Sequence, residues 1–165
     1  MDTDLYSVLM KKAGGLLARR AYSRGELRDK LAKIAGPAAV EPVLDRLQQL
    51  NLLNDAEYAY NFALCRIQQK GWGPAKVHGS LLRRQVAPEA IEGALARVHS
   101  ELSDEPALEA CVRNYCGSKG MPVDLKDLRR LVSHLHRRGF GEDSIQSVLR
   151  RMVSARLWQR FETGE

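Results

Sequence analysis

The chain has 165 residues and a formal net charge of +6, with 44% hydrophobic and 28% charged residues. This is enough apolar material for a core, and no run of 18 apolar residues is present to cross a membrane. Met1-Asp2-Thr3-Asp4 carries acid where a secretory signal carries base, so a cytoplasmic protein with no membrane partner is expected.

A first helix is read from Leu5 to Arg20, on Leu5, Val8, Leu9, Leu16 and Leu17, with Gly14-Gly15 weakening its middle. Ser23-Arg24-Gly25-Glu26 is a capping box: the serine caps a backbone N–H and the glutamate reaches back. It opens a helix to about Ala35; Gly36 ends that helix and Pro37 begins a third, running to about Leu50. Asn54-Asp55-Ala56-Glu57 repeats the cap and starts a helix to Lys70, with Tyr58 and Phe62 on one face read as core. Gly71-Trp72-Gly73-Pro74 breaks the chain. Pro74 opens a helix buried through Val77, Leu81 and Leu82, and Pro88 opens one ending near Glu101. Ser103 or Asp104 caps a helix with Leu108, Cys111, Val112 and Tyr115; Asp124 or Asp127 caps the next, to Arg138, and Asp143 the last. No segment alternates with the period of a strand.

Three of these helices carry the same stripe. Val40-Val43-Leu44-Leu47, Ile91-Ala94-Leu95-Val98 and Ile145-Val148-Leu149-Met152 all follow i, i+3, i+4, i+7, the face a helix turns to a core. Leu27 and Leu31, Val77 and Leu81, and Leu131 and Leu135 precede them. The second and third copies align at an offset of 54 without a gap: Arg83-Arg84 falls on Arg137-Arg138, and Ile91 on Ile145. A period of this length indicates stacked helical units. A three-helix unit alone buries too little apolar surface to be robust. The expected fold is therefore all-α, an elongated solenoid of three tandem three-helix repeats, about nine helices, with repeats at 1–53, 54–101 and 102–165.

Charge is segregated along the chain. No acid lies between Glu57 and Glu89, where Arg66, Lys70, Lys76, Arg83 and Arg84 fall; from Ser144 to Phe161 every charge is again positive. Acid collects at Glu101, Asp104, Glu105 and Glu109. Such a distribution favours an anionic partner, a nucleic-acid backbone or an acidic protein groove; the alternative is a solvated basic face.

Catalytic signatures are absent from the sequence: no nucleophile-elbow, P-loop or dinucleotide glycine pattern occurs, and the four histidines lack evident partners. Cys65, Cys111 and Cys116 sit among apolar neighbours and read as buried thiols; with His134 and His136 they show no zinc spacing. No enzyme, cofactor or metal site is expected. Trp72 reads either as a base-stacking or partner-filling aromatic, or as a ring folded down over its turn, and the second reading is preferred. Arg83-Arg84 and Arg137-Arg138 read as anion clamps or as complements to a helix C-terminus, worth about 0.3–1 kcal/mol.

The motifs resemble those of the RecX family of regulators of the RecA recombinase. They are Leu17-Ala18-Arg19-Arg20, then Ser23-x-x-Glu26-Leu27-x-x-Lys30-Leu31, then Leu47-x-x-Leu50-x-Leu52-Leu53-Asn54-Asp55-x-x-Tyr58-Ala59. Arg66-x-x-x-Lys70-Gly71-Trp72-Gly73 and Arg137-Arg138-Gly139-Phe140 complete the series, which spans nearly the whole chain. The resemblance implies three tandem three-helix repeats and a non-enzymatic modulator. Such a protein binds in the helical groove of the RecA–DNA filament and suppresses ATPase, strand-exchange and coprotease activities, which bears on DNA repair and the SOS response. Contacts are expected at Arg24, Arg28, Arg66, Lys70, Lys76, Arg83 and Arg84, from a monomer that also binds DNA weakly by itself. The alternative is a helical DNA-binding protein acting directly on nucleic acid. A recognition helix for that role would present base-reading polar residues at its N-terminus, and Pro37-Ala38-Ala39 and Pro88-Glu89-Ala90 have none.

Overall fold

The computed structural model describes residues 3–164, so Met1 and Asp2 of the N-terminal reading lie outside the described residues. The chain is all-helical, with no strand among the described residues. Its helices are α1 (Thr3–Leu17), α2 (Arg24–Leu31), α3 (Pro37–Gln49), α4 (Asp55–Lys70), α5 (Pro74–Arg83), α6 (Pro88–Glu101), α7 (Glu105–Lys119), α8 (Leu125–Arg137), α9 (Glu142–Met152) and α10 (Ala155–Thr163). Two compact units divide the chain, residues 1–61 with 80–94 and residues 62–79 with 95–165, and α4, α5 and α6 each contribute to both.

Side-chain caps mark where several helices start. Ser23 Oγ accepts from the Glu26 N–H while the Glu26 carboxylate accepts from the Ser23 N–H, so the capping box is complete. Asn54 accepts from the Glu57 N–H at 3.0 Å, Asp124 from the Asp127 N–H at 2.8 Å, and Ser103 from the Glu105 N–H at 3.2 Å. The expected cap at Asp143 is displaced: Gly141 is the N-cap of α9 without a side-chain bond, and Asp143 lies in the first turn. There its charge meets the positive end of the helix dipole. Two helices also stop early. Beyond Leu17 and Leu31 the chain closes turns, with Arg19 N–H on Leu16 O and Ile34 N–H on Leu31 O.

In the first unit α1 packs on α2 and α3, and α2 on α3. Leu27, Leu31, Val40, Val43, Leu44 and Leu47 are buried, so the first stripe is core along its whole length. Each such leucine contributes about 1.5–3 kcal/mol by leaving water. On α1, Leu9 and Ala13 face the core while Val8 is 50% exposed, which corrects its expected burial. The second stripe departs similarly: Ile91, Ala94 and Val98 are buried, but Leu95 is half-buried and Leu82 of α5 is exposed. On α4 the buried positions are the small Ala59 and Ala63, then Ile67; Tyr58 and Phe62, read as core, are half-buried.

In the second unit α7 packs on α8 and α9, around Leu108, Val112, Leu128, Leu131, Leu135 and Ile145. The third stripe is buried at Ile145, Val148 and Leu149, with Met152 half-buried. The segment after Val153, read only as a basic run, forms the tenth helix. Ser154 caps it on the Leu157 N–H, and Leu157 and Trp158 are buried where α10 packs on α8 and α9.

Candidate functional site

Repeat register decides which cations turn inward. In the first unit the Ser23 hydroxyl, besides capping α2, donates to the Arg84 carbonyl, and the Arg84 guanidinium donates to Glu26 at 2.9 Å and to the Tyr58 hydroxyl at 3.1 Å. Tyr58 in turn donates to Glu26, and Arg20 pairs with the same carboxylate at 3.3 Å. Burial alone would raise the Glu26 pKa, but the hydrogen bonds from Arg20 and Ser23 and the charges of Arg20 and Arg84 hold it below the ordinary value. Burial, with the Glu26 charge beside it, pushes the Tyr58 phenol up.

In the second unit the equivalent arginine does the same work through the backbone. Arg138 Nη2 donates to the Lys70 carbonyl at 2.7 Å, capping the end of α4. The Gly73 N–H donates to Arg138 O at 2.7 Å and the Ala75 N–H to Gly139 O at 3.1 Å. Main chain meets main chain here: a Cβ on Gly73 would overlap Gly139 and Phe140, and one on Gly139 would overlap Lys76. Gly139 also holds φ +90°, a conformation that glycine tolerates.

The other sequence-derived cations fall into three groups. Arg24 is tied to Glu41 at 2.6 Å and Asp45 at 2.8 Å, and Arg28 to Glu41 at 2.6 Å, so the first-repeat pair is engaged within its own unit. Burial opposes the Arg24 charge, but Asp45 and Glu41 outweigh it and raise its pKa; the Arg28 hydrogen bond leads in lowering that of Glu41. Arg66 and Lys76 meet at the half-buried Trp72, the guanidinium 5.3 Å and the ammonium 4.7 Å from its ring centroid. Phe62 sits edge-on at 6.5 Å, so the ring is packed among side chains of α4 and α5. Lys70 and Arg83 are exposed, as is Arg137, the outward member of the second arginine pair.

A basic face that reading by segments missed lies on α8. Lys126, Arg129, Arg130 and Arg137 are exposed at i, i+3, i+4 and i+11. The helical spacing was present in the sequence; the interspersed Asp124 and Asp127 concealed it in a count of charges by segment. All three cysteines are free thiols, Cys111 buried and the others half-buried, with burial raising the Cys116 pKa. Among the described residues no cluster of three or more His, Cys, Asp or Glu could hold a metal ion, and no helix is long and apolar enough to cross a membrane.

The recurring three-helix pattern, with the same residue register reused at each joint, defines a helical-repeat protein. The chain belongs to the RecX family. The family model for RecX, first three-helix domain, matches residues 10–47, and that for RecX, second three-helix domain, residues 54–95. The Regulatory protein RecX of Halorhodospira halophila is 34% identical over 81% of this chain and 81% of its own length. That of Thermus thermophilus is 38% identical over 76% and 78%, and that of Pseudomonas tolaasii 32% over 88% and 92%. The crystal structure of RecX from Lactobacillus salivarius superposes with a TM-score of 0.82 at 19% identity, covering 90% of this chain and 97% of that one. A second RecX crystal structure gives 0.77 at 18% identity, over 88% and 71%. These two likenesses concern the fold.

Proposed function

We propose that this chain regulates the RecA recombinase by binding the RecA–DNA filament in its helical groove and inhibiting ATP hydrolysis, strand exchange and coprotease activity. In this way it modulates DNA repair and the SOS response, as a cytoplasmic monomer without cofactor. Family membership supports the regulatory role. The observation that carries the electrostatic part is the acid-free stretch between Glu57 and Glu89, from which Lys70 and Arg83 project into solvent. A groove lined by carboxylates and phosphates attracts such cations, with an affinity that falls as salt screens it. Arg24 and Arg28 contribute mainly by holding the first repeat together, and Arg84 by tying the second repeat to Glu26 of the first, through the ion pairs they already make.

RecA-catalysed ATP hydrolysis on single-stranded DNA, with this protein added substoichiometrically, is the test. Inhibition is expected; its absence, alongside tight binding to bare duplex, assigns the chain to direct DNA binding instead. Replacing Lys70 and Arg83 together by Glu should leave helical content intact and weaken inhibition. Arg84 is best left in place, because its loss strips Glu26 and Tyr58 of a partner. Unchanged inhibition removes these two cations from the mechanism.

A further inference from the structure

We propose that the exposed face of α8, together with Tyr115 of α7, is a track for single-stranded DNA. Lys126, Arg129, Arg130 and Arg137 hold phosphates, and Tyr115 offers its ring to a base. The assignment extends the recombinase reading to a surface that reading does not use, and it concerns bare DNA.

Two adjoining hollows define the track. One is lined by Tyr115, Lys126, Arg129, Arg130, Ser133 and Arg137, the other by Tyr115, Lys119, Asp127 and Arg130 with Gly120 and Pro122. Tyr115 and Arg130 line both, so the two hollows adjoin at the aromatic ring. From Lys126 to Arg137 the helix rises about 16 Å, the length of about five stacked nucleotides. Lys126, Arg129 and Arg137 make no ion pair among the described residues; Asp127, the acid in the second hollow, is paired with Arg130 at 3.3 Å. Cations in a row beside an aromatic ring are the arrangement that binds an unpaired strand, because a duplex keeps its bases stacked away from such a ring.

A built-in reporter lies at one end. His134 packs its ring 4.9 Å from that of Tyr115 and its Nε2 3.8 Å from Cys111 Sγ. Its pKa is depressed by burial and then by the charges of Arg138, Arg137 and Lys76, so the positive field of this face already acts on it. A phosphate seated at Arg137 offsets that field and moves the His134 pKa upward.

The experiment measures binding of a labelled oligo-dT strand to the whole protein, without recombinase, across a salt series. The plot of log affinity against log salt should slope at about −2 to −3, the value for three to four cations on a single strand. Replacing Arg129 and Arg137 by Gln should weaken binding about tenfold at low salt and reduce the slope by about 1.4. Replacing both by Lys should keep the slope, and circular dichroism should show all variants folded. The His134 imidazole, followed by NMR, should titrate at higher pH with DNA present. An unchanged slope in the Gln variant, an unmoved His134, equal affinity for duplex, or equal binding of polyglutamate each overturns the assignment. Inhibition of RecA without oligo-dT binding refutes the track and leaves the regulatory reading standing; the reverse result does the opposite.

Discussion

The first turns of α2 and α5 occupy the same place in successive repeats, and each is closed by the following repeat in a different way. Ser23 and Gly73 precede these helices at equivalent positions, and the acceptors are the equivalent carbonyls of Arg84 and Arg138. At α2 a side chain makes the bond, and the joint draws in Glu26, Tyr58, Arg84 and Arg20. At α5 the Gly73 and Ala75 N–H groups make the bonds directly. Pro74 has no N–H to satisfy, so the next repeat supplies what the first turn of α5 lacks. The first joint is therefore specified by polar side chains together with the close approach of Gly25 to Gln85, the second mainly by main-chain bonds and the close approach of Gly73 to Gly139. The first joint is open to titration and to point substitution of its polar groups. The second rests on main-chain contact and the Arg138 bond to the Lys70 carbonyl, so an added carbon at its glycines is the strongest way to disturb it.

Gly73→Ala should produce the largest effect, a destabilisation of about 3 kcal/mol in chemical or thermal unfolding, because the new methyl meets backbone that cannot swing aside. An unchanged unfolding midpoint would show that the two joints are equally tolerant. Ser23→Ala should cost about 1–2 kcal/mol, removing the cap and leaving the Arg84 carbonyl without its donor. The pH response separates the joints further. Because Glu26 has a lowered pKa in the folded chain, its contribution is present above its unfolded value near 4.3 and is lost as pH falls through the folded one. Wild-type stability should thus decline below about pH 4 more steeply than that of Glu26→Gln; parallel profiles would contradict the assignment. The smallest effect is expected at Gln85, which aligns with Gly139 and holds φ 57°. Gln85→Gly relieves about 1–2 kcal/mol of left-handed strain but loses the bond to Asp29 and adds chain entropy, so the net change should stay within about 1 kcal/mol.

Much of the first repeat was legible in the sequence because its determinants are local. The Ser23 capping box, Pro37 at the start of α3 and the stripe from Val40 to Leu47 all appear as the spacing requires. Later repeats were less so, since their burial depends on distant partners. Leu95 shares the pattern of Leu44 and Leu149 yet is half-buried, because the same period serves a helix whether or not a neighbour covers its flank. Helix α10 escaped notice since its apolar face is short, Leu157 and Trp158 buried and Phe161 packed beside them within one turn. The recurring arginine pairs showed their spacing but not their division of labour. Arg84 and Arg138 turn inward to a neighbouring element while Arg83 and Arg137 remain in solvent, a difference that only tertiary contacts create.

The glycine joint has a consequence for how such a chain tolerates mutational drift. Since Gly73 and Gly139 join through amides and carbonyls common to every residue, the surrounding surface is free to change sign, length or polarity without losing alignment. At this joint the positions closed to any added carbon are Gly73 and Gly139. The cations of α8 can then diverge from those of α5 although both helices keep their places in the array.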